Sequence, residues 1–563
     1  MMREFLQQET ILMDILKEKL DPELYHYAEK ELARFYVKCY EEFDERAAHT
    51  DREGQPKLIK YNRFGEDVSE IWVNEGYKKT VEDTYNTGIV GYVHKNIPEL
   101  GRKGNYLYSY AQGYLLSQVE PGFYCPVTLT MATAYLIDQY ASEELKAKFL
   151  PHVLATGDTK LFEGATFLTE RQGGSDVGAN VVEAIPEGEY YRLYGEKYFA
   201  SNAGQCGVAA VLARRKGAPA GTKGLSLFLV PWRTEDGTVN KLHVRRLKDK
   251  LGVRAVPSAE VVLDGSKAYL VGDPAKGFYY MMEALNLSRV CNAVASLGIM
   301  KRALKEGYEY ANWRDAFGQK IVDFPMVQET LADLQARYEV QLSGLFEAIA
   351  LFDSVMLHRE QATNEEIALN RLLIALVKAR TAKEAIDFSH EAIELHGGNG
   401  YIEDFVTPRL LRDAQVLTVW EGTENILGLE VLRLVRKYNV HDIFMREMKM
   451  DLQNAEATAV QKDLLQKQME EMSEMIDYIA DKDEAIQTYH AKRIAEYMTD
   501  IYFGIHSMKR ATNERKKLIR DLYFKSRYNS NKLDKDMIAV KYFKEIMDPT
   551  KEMVKEAKQE VNI

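Results

Sequence analysis

The sequence has few cysteines and no long apolar run. Its four cysteines lie far apart, form no Cys-x-x-Cys pair and show no zinc-ligand spacing with histidine, so we expect four buried, reduced thiols. No stretch approaches the roughly eighteen uninterrupted apolar residues that a membrane helix needs. The start of the chain is acidic and amphipathic, and it lacks the basic region and cleavage site of a secretory signal. We therefore expect a cytoplasmic protein that is not inserted in a membrane.

Proline is scarce in the second half of the chain. Eleven of the fourteen prolines precede residue 280, and a stretch with so few helix breakers can form long helices. Apolar residues recur at helical spacing both there and in residues 1 to about 160. From about 166 to 275, short β-prone runs alternate with turn signals, and EYYRLYGEKYFAS is typical of a hairpin. The sequence therefore predicts an α+β protein in which an antiparallel sheet or barrel lies between two helical regions.

Several common catalytic signatures are missing. No Gly-x-Gly-x-x-Gly follows a strand, and the chain has no P-loop, no Gly-x-Ser-x-Gly and no His-Glu-x-x-His. These absences disfavour a Rossmann dinucleotide fold, phosphoryl transfer, serine hydrolysis and metal-dependent hydrolysis. The net charge of −11 also disfavours general attraction to nucleic acid or to an anionic membrane.

Two polar segments of the middle region have the chemistry of a ligand site. Residues 169–177 (TERQGGSDV) combine adjacent glycines, which allow close backbone approach, with flanking hydroxyls. Residues 195–204 (GEKYFASNAG) indicate a strand that enters a turn, with Phe199 and Ser201 on one face that could flank a flat ring. An ordinary turn and an aromatic packed in the core explain the two segments as well.

Two further segments lie in the second helical region. Residues 396–401 (HGGNGY) hold three glycines in four residues, which make either a plain helix end or a nest for a pyrophosphate. Residues 419–425 (VWEGTEN) place Glu421 after an apolar approach, where partial burial would suit a general base or acid. Alternatively, Glu421 is a first-turn carboxylate facing a helix dipole, with Thr423 as the cap.

In their order and spacing, these segments together resemble the acyl-CoA dehydrogenase superfamily from about residue 80 to residue 437. CPVTLT at 125–130, TERQGGSDVGAN at 169–180 and RLKDKLGVR at 246–254 are most similar to its AidB-like branch. The resemblance implies three domains, namely an N-terminal α-helical domain (1–163), a middle β-barrel-like domain (164–277) and a C-terminal four-helix bundle (278–440). The residues that follow are predicted to form a further helical extension (441–563).

The resemblance also implies an FAD cofactor in an extended cleft between the middle domain and the bundle, closed by part of a neighbouring subunit. The residues that match cofactor contacts from the same subunit are Leu168, Thr169, Ser175, Phe199, Ser201, Thr423 and Asn425. Those that match the neighbouring subunit's contribution are Arg314, Phe317, Gly397 and Gly398. Phe199 stands where the family has a tryptophan beside the isoalloxazine, and Ser201 where it has a threonine.

Some positions imply contacts to substrate and some depart from the family. Ser175 also matches a contact to the CoA arm, and Arg289 matches an arginine near CoA. Asn286 stands where an aspartate is usual, three residues before that arginine. Phe324-Pro325 replaces a frequent Phe-Gln, and Glu394 replaces a frequent glutamine, so the adenosine contacts are the least defined part of the predicted site.

Glu421 matches the family's catalytic glutamate. Some long-chain and branched-chain members carry the base on the helix of Arg289 instead, where this chain has Ser288. The implied reaction is α,β-desaturation of an acyl-CoA, in which Glu421 takes the α-proton and hydride passes to the flavin. Gly422 would let the backbone turn so that the N–H of Glu421 stabilises the developing enolate oxygen. The implied electron acceptor is an electron-transfer flavoprotein, with oxygen as an alternative.

The quaternary structure and the C-terminal extension add two expectations. A cofactor shared between subunits implies at least a dimer, and the family is usually a dimer of dimers. Residues 508–528 (MKRATNERKKLIRDLYFKSRY) are basic, and AidB-like proteins are associated with DNA binding. A second hypothesis is therefore an AidB-like flavoprotein with a DNA-binding or alkylation-protection role. The other interpretation of this stretch is a solvated helix surface or a subunit contact, which the acidic net charge favours.

Overall fold

A computed structural model describes residues 2–528 and 533–550, and the chain separates into two compact units. One unit comprises Lys38–Cys291. The other comprises Met1–Val37 together with Asn292–Ile563. The division into three domains and an extension stays a prediction, and its parts at 529–532 and 551–563 lie outside the described residues.

Helices dominate both ends of the chain, as the apolar spacing predicted for both and the proline distribution for the second half. They are α1 (Met2–Gln8), α2 (Thr10–Lys19), α3 (Pro22–Lys38), α4 (Asp44–Arg52), α5 (Glu75–Tyr85), α6 (Tyr106–Ser117), α7 (Pro121–Tyr140), α8 (Glu143–Val153), α9 (Gly277–Trp313), α10 (Pro325–Leu357), α11 (Asn364–His396), α12 (Thr407–Leu417), α13 (Glu424–Tyr438), α14 (Val440–Asn454), α15 (Ala459–Ile479), α16 (Glu484–Lys509), α17 (Glu514–Tyr528), α18 (Ile538–Lys541) and α19 (Phe543–Met547). Pro325 and Pro408 lie in the first turns of α10 and α12, where a missing N–H costs no hydrogen bond.

The strands gather in the middle of the chain, with short hairpins outside it. They are β1 (Lys57–Tyr61), β2 (Asp67–Trp72), β3 (Asn96–Ile97), β4 (Arg102–Lys103), β5 (Glu163–Phe167), β6 (Glu183–Glu187), β7 (Tyr190–Ser201), β8 (Cys206–Arg215), β9 (Leu225–Pro231), β10 (Leu242–Leu247), β11 (Ser258–Val271), β12 (Asp315–Ala316) and β13 (Gln319–Lys320). The pairs β1–β2, β3–β4 and β12–β13 each form a two-stranded sheet.

Strands β5 to β11 form one seven-stranded sheet that closes into a barrel. The order is β10-β11-β7-β6-β8-β5, and β9 closes the ring by pairing with both β11 and β8. Its core holds apolar side chains such as Phe167, Leu193, Val211 and Phe228. Strand β8 pairs in parallel with β5 and β6, although the sequence predicted an antiparallel sheet, because local patterns carry no information on pairing between distant strands. The predicted α+β fold with a barrel-like middle region is confirmed.

The EYYRLYGEKYFAS segment is one strand, so the hairpin prediction for it is wrong. The turn lies earlier, at Gly188 and Glu189 between β6 and β7. Gly195 has a φ of 135° within β7, and a Cβ there would come within 2.9 Å of Val182. This glycine therefore permits close approach of two chain segments within the sheet instead of a reversal of the chain.

The extension after α13 is helical, and its basic stretch is largely engaged in ion pairs within the same unit. Arg515 is buried, and its Nη1 donates to Glu339 of α10 at 3.0 Å. Arg520 is also buried and donates to the Glu456 carbonyl at 2.9 Å. The other pairs are Lys509–Asp451, Arg510–Glu18, Lys517–Glu456, Lys525–Asp534 and Arg527–Asp500. These contacts give no support to the prediction of a nucleic-acid face at residues 508–528, and the burial of Arg515 and Arg520 shows that the stretch is not simply a solvated helix surface.

The structure shows where the longest apolar helix and the four cysteines lie. In the part of the chain that the structure describes, α10 alone is long and apolar enough to cross a membrane. Of its most apolar 18-residue window, 61% is buried inside the protein, which is typical of a core helix. All four cysteines are free; Cys125 is partly exposed, and the other three are buried as expected.

Candidate active site

The TERQGGSDV segment follows β5 and is held against β7. The Tyr198 N–H donates to the Thr169 carbonyl at 2.9 Å. Gly174 packs on the Thr169 side chain, since a Cβ there would come within 2.6 Å of Thr169 Oγ1. Thr169 and Leu168 are half-buried, and Ser175, next to Gly174, is exposed. The structure therefore brings these three predicted cofactor residues together at one turn.

The end of β7 presents Phe199 and Ser201 on its outer face. Ala200 between them is fully buried in the barrel, whereas Phe199 is 50% exposed. Ser201 Oγ lies 3.1 Å from Ser258 Oγ on the paired strand β11. Phe199 and Ser201 therefore lie on the same face of β7, as predicted. The half-exposed ring of Phe199 offers a surface on which a flat ligand can stack.

Lys248, which sequence reasoning missed, lies against the same aromatic residues. Its Nζ is 3.3 Å from the centre of the Tyr198 ring and 4.6 Å from that of Phe199. It also pairs with Glu260 at 2.7 Å. A cation over these rings restrains their orientation. Lys248 belongs to the RLKDKLGVR motif, which the sequence analysis singled out. The motif itself does not indicate that the Lys248 side chain contacts residues of β7.

Arg289 lies on α9 in the barrel-containing unit. Its Nη1 donates to Asn286 Oδ1 at 3.0 Å, so the asparagine keeps the acceptor of the usual aspartate without its charge. Ser288, at the alternative position for the base, is buried and donates to the Ala284 carbonyl at 3.2 Å. A hydroxyl bonded within its own helix is no substitute for a carboxylate base, which leaves Glu421 as the candidate.

In the other unit, Arg314 and Phe317 lie on the β12–β13 hairpin after α9. Phe317 occupies the tip with a φ of 53° and is 97% exposed. Arg314 Nη1 donates to the Tyr310 hydroxyl at 3.3 Å, and Asn399 Nδ2 donates to the same hydroxyl at 3.0 Å. Tyr310 therefore joins the hairpin to the HGGNGY segment. Sequence reasoning missed Tyr310, although it precedes Arg314 by one helical turn.

The HGGNGY segment ends α11 and leaves its backbone accessible. Gly397 has a φ of 59°, and a 3₁₀ helix, Gly397–Tyr401, follows. A Cβ at Gly397 or Gly398 would meet no heavy atom within 4 Å. His396 stacks on Tyr310 with 4.1 Å between ring centres. The segment is thus a helix end that also has the open backbone of an anion site.

Glu421 lies in the turn between α12 and α13. Its φ is 60° and that of Gly422 is 106°, so two successive residues have left-handed conformations. Thr423 is the N-cap residue of α13, but its side chain makes no capping hydrogen bond. Glu421 precedes this N-cap residue and the first-turn carboxylate is Glu424, so the interpretation of Glu421 as a first-turn carboxylate is wrong, whereas Thr423 does occupy the cap position. Asn425, in the first turn, is exposed.

Three family models together match most of the chain between residues 3 and 435. Residues 3–157 match the adaptive response protein AidB N-terminal domain, 165–266 the acyl-CoA dehydrogenase middle domain, and 275–435 the acyl-CoA dehydrogenase C-terminal domain. The putative acyl-CoA dehydrogenase AidB of Escherichia coli K12 is 30% identical over 399 residues, which cover 69% of this chain and 71% of that protein. The chain belongs to the acyl-CoA dehydrogenase family.

The N-terminal match and the E. coli relative place it in the AidB-like branch, which confirms the resemblance. Among solved structures, Caenorhabditis elegans ACDH-11 in complex with C11-CoA has a TM-score of 0.83 at 28% identity, covering 91% of this chain and 89% of that one. An acyl-CoA dehydrogenase from Bacillus anthracis in complex with FAD shares the fold, with a TM-score of 0.71 at 20% identity over 94% of this chain and 88% of that one.

Proposed function

We propose that this chain is an FAD-dependent acyl-CoA dehydrogenase that desaturates the α,β bond of an acyl-CoA, with Glu421 as the base. The observation that carries the proposal is the turn at Glu421 and Gly422. There, the backbones of Glu421 and Gly422 have positive φ, and the carboxylate precedes the N-cap residue of α13, Thr423, by two positions. Strained backbone of this kind concentrates at functional sites. The CoA ester in the ACDH-11 structure supports the substrate class.

Each unit, taken by itself, has side chains and backbone that suit part of an FAD. In the barrel unit, Gly174 packs on the half-buried Thr169 beside the exposed Ser175, and Phe199 offers a half-exposed ring. In the other unit, the open backbone at Gly397 suits a pyrophosphate, and Arg314 supplies positive charge. The residues that would hold the cofactor are Leu168, Thr169, Ser175, Phe199, Ser201, Thr423 and Asn425 of one subunit and Arg314, Phe317, Gly397 and Gly398 of its neighbour.

FAD, when bound, accepts the hydride that leaves the β-carbon. Glu421 removes the proton from the α-carbon; the electron pair of that C–H bond becomes the new double bond, and the proton stays on the carboxylate. A thioester α-proton is far less acidic than a carboxylic acid. Each unit of difference between the two pKa values adds about 1.4 kcal/mol to the free energy of proton transfer. Backbone N–H groups at the turn must therefore stabilise the developing enolate oxygen. Gly422 permits the backbone conformation that this role needs.

The proposal extends to two kinds of partner. An electron-transfer flavoprotein takes the electrons, and copies of the chain assemble into a dimer or a dimer of dimers. Support for assembly comes from Phe317, whose ring is 97% exposed at the tip of its hairpin, as expected of a side chain that packs on a neighbouring subunit. The DNA-associated role stays a hypothesis, and the ion pairs of Arg515 and of the other basic residues in 508–528 give it no support.

The test is anaerobic bleaching of the purified yellow protein with acyl-CoAs of different chain lengths. We expect the wild type to lose its flavin absorbance with at least one acyl-CoA. The variant Glu421→Gln keeps FAD and binds the same acyl-CoA but does not bleach, because the amide cannot take a proton.

Glu424→Gln is the matched control. Glu424 is also a carboxylate at this helix start, but it faces Lys383 and Lys492 at 3.8 and 3.5 Å. We expect this variant to bleach at the wild-type rate. Normal bleaching by Glu421→Gln, or no bleaching of the wild type by any acyl-CoA, would falsify the proposed function. Rapid reoxidation in air after reduction would identify oxygen as the acceptor instead of a flavoprotein.

A further inference from the structure

Two lysines are buried among the residues that the structure describes, and both hold backbone of the candidate active site. Lys197 is 0% exposed, and its Nζ lies 3.4 Å from the Leu168 carbonyl. Lys378 is 1% exposed, and its Nζ donates to the Gly422 carbonyl at 2.7 Å. One lysine thus contacts the segment assigned to the flavin, and the other contacts the residue next to the base.

Lys378 lies in the middle of α11, within an apolar stretch of that helix. The residues before it, Leu376 and Val377, are 1% exposed, as are most of their neighbours. A lysine prefers water, and burial of its ammonium is costly unless the group is used in a specific contact. The carbonyl that it reaches belongs to a turn between two other helices, α12 and α13.

That turn is held at both ends by buried side chains of other helices. At its start, Asn292 Nδ2 of α9 donates to the Leu417 carbonyl at 3.1 Å. At its end, Lys378 Nζ donates to Gly422. Between them, Glu421 has a left-handed backbone that costs energy in any residue with a side chain. Such a conformation persists only where the surroundings fix it.

We propose that Lys378 is a positioning residue for Glu421. By fixing the peptide group after Gly422, its ammonium keeps the turn in the left-handed conformation that presents the carboxylate to the substrate's α-carbon. This inference rests on the proposed function of Glu421. It assigns Lys378 no proton transfer and no contact with substrate or cofactor, so its loss acts on the rate of proton removal and not on binding.

The experiment compares Lys378→Met with Val377→Ala. Methionine keeps the length and much of the volume of the lysine stem but removes the donor. Val377→Ala makes a small cavity at the neighbouring buried position of α11 and leaves the contact to Gly422 in place. Three quantities are measured: FAD content, acyl-CoA affinity by titration, and the anaerobic rate of flavin bleaching. Deuterium uptake at the α-carbon of acyl-CoA in D2O reports proton removal separately from flavin reduction.

For Lys378→Met we expect FAD content and acyl-CoA affinity near those of the wild type. Its bleaching rate and its deuterium uptake both fall about 100-fold, the size of effect that a misplacement near 1 Å produces. Val377→Ala keeps the wild-type rates. If Lys378→Met does not fold, Lys378→Gln replaces it, since its amide retains a hydrogen-bond donor on a shorter side chain. For this variant we again expect unchanged FAD content and acyl-CoA affinity, with a smaller fall in the rates of bleaching and deuterium uptake.

Unchanged bleaching in both Lys378 variants would overturn the inference, as would an equal loss of rate in Val377→Ala. A rate loss matched by an equal loss of acyl-CoA affinity or of FAD would also overturn it, because it indicates a binding or purely structural role. Failure of the proposed function gives a different result, namely normal bleaching by Glu421→Gln. In that case this inference falls with it.

Discussion

Lys197 Nζ lies 2.8 Å from Glu170 Oε1, and both side chains are buried in the barrel unit. The ammonium also donates to the Leu212 carbonyl at 2.8 Å, and the carboxylate accepts the Val181 N–H at 2.7 Å. Burial lowers the pKa of Lys197, an effect that the charge of Glu170 opposes. The pair fixes the residues on either side of Thr169, where the flavin is proposed to bind.

Lys197→Met leaves the Glu170 carboxylate buried without its cation. Removal of one partner of a buried pair costs about 3–5 kcal/mol, so we expect a lower melting temperature and weaker FAD retention. Thermal unfolding with and without added FAD measures both. The double variant Lys197→Met, Glu170→Gln removes the stranded charge and should recover much of the stability. A single variant as stable as the wild type would contradict the expectation.

Glu163 of β5 gives the barrel unit a stability that depends on pH. Burial raises the pKa of Glu163 from 4.5 to about 7, although hydrogen bonds from Tyr85 and Asn202 lower it. The folded protein therefore binds a proton that the unfolded chain releases above pH 4.5. The stabilisation is complete below pH 4.5 and is lost as the pH rises through about 7, with a size of about 3 kcal/mol.

The matched variant for this prediction is Glu163→Gln, which is neutral at every pH. Its melting temperature should exceed that of the wild type by a margin that grows between pH 5 and pH 8, because only the wild type loses a bound proton over that range. Melting curves in buffers across that range measure the difference. A constant gap would mean that Glu163 does not titrate there.

Phe199→Trp reports directly on the proximity of the flavin to the end of β7. A flavin stacked within a few ångströms quenches indole fluorescence, so the extra emission of the variant should be weak with FAD bound and strong after FAD is removed. Phe64→Trp, at a residue that is 73% exposed in the loop between β1 and β2, is the control and should respond little. Equal responses of the two variants would argue against stacking at Phe199.

Residues 508–528 should give no salt-resistant binding to DNA. Their basic side chains are mostly paired within the protein, as in Arg515–Glu339 and Arg527–Asp500, and the chain carries a net charge of −11. We expect any electrophoretic shift of duplex DNA at low ionic strength to vanish by about 150 mM salt. A complex that persists there, and that Lys516→Ala weakens, would support the DNA-associated hypothesis.

The order of elements and the positions of the motifs could be predicted from local sequence. Proline scarcity indicated the long helices, and β-prone runs located β8, β9 and β10 to within a residue or two. Thr423 could be placed as the cap of a helix because threonine favours that position, but local sequence left open whether Glu421 lies in the first turn or before the cap. Gly195 misled the prediction, since a glycine inside a strand resembles one in a turn.

The contacts that support the site could not be predicted, because they join residues distant in sequence. A lysine within a helix normally indicates a solvated face, and nothing near Lys378 shows that its ammonium reaches Gly422. Similarly, the hydrogen bond from Asn399 to the Tyr310 hydroxyl forms only because the fold brings α9 next to the end of α11. The parallel pairing of β5 with β8 is non-local in the same way.

The discontinuous unit has a consequence for the synthesis of the chain. Helix α2 packs on α10, Lys19 pairs with Glu347 at 2.7 Å, and Lys301 donates to the Gln8 carbonyl at 2.7 Å. These partners emerge from the ribosome only after the roughly 250 residues of the barrel-containing unit, which takes about 13 to 50 s at 5–20 residues per second. During that time, α1 and α2 lack the partners that bury their apolar faces in the folded protein. We therefore expect these faces to be accessible to chaperones while the barrel-containing unit is being synthesised.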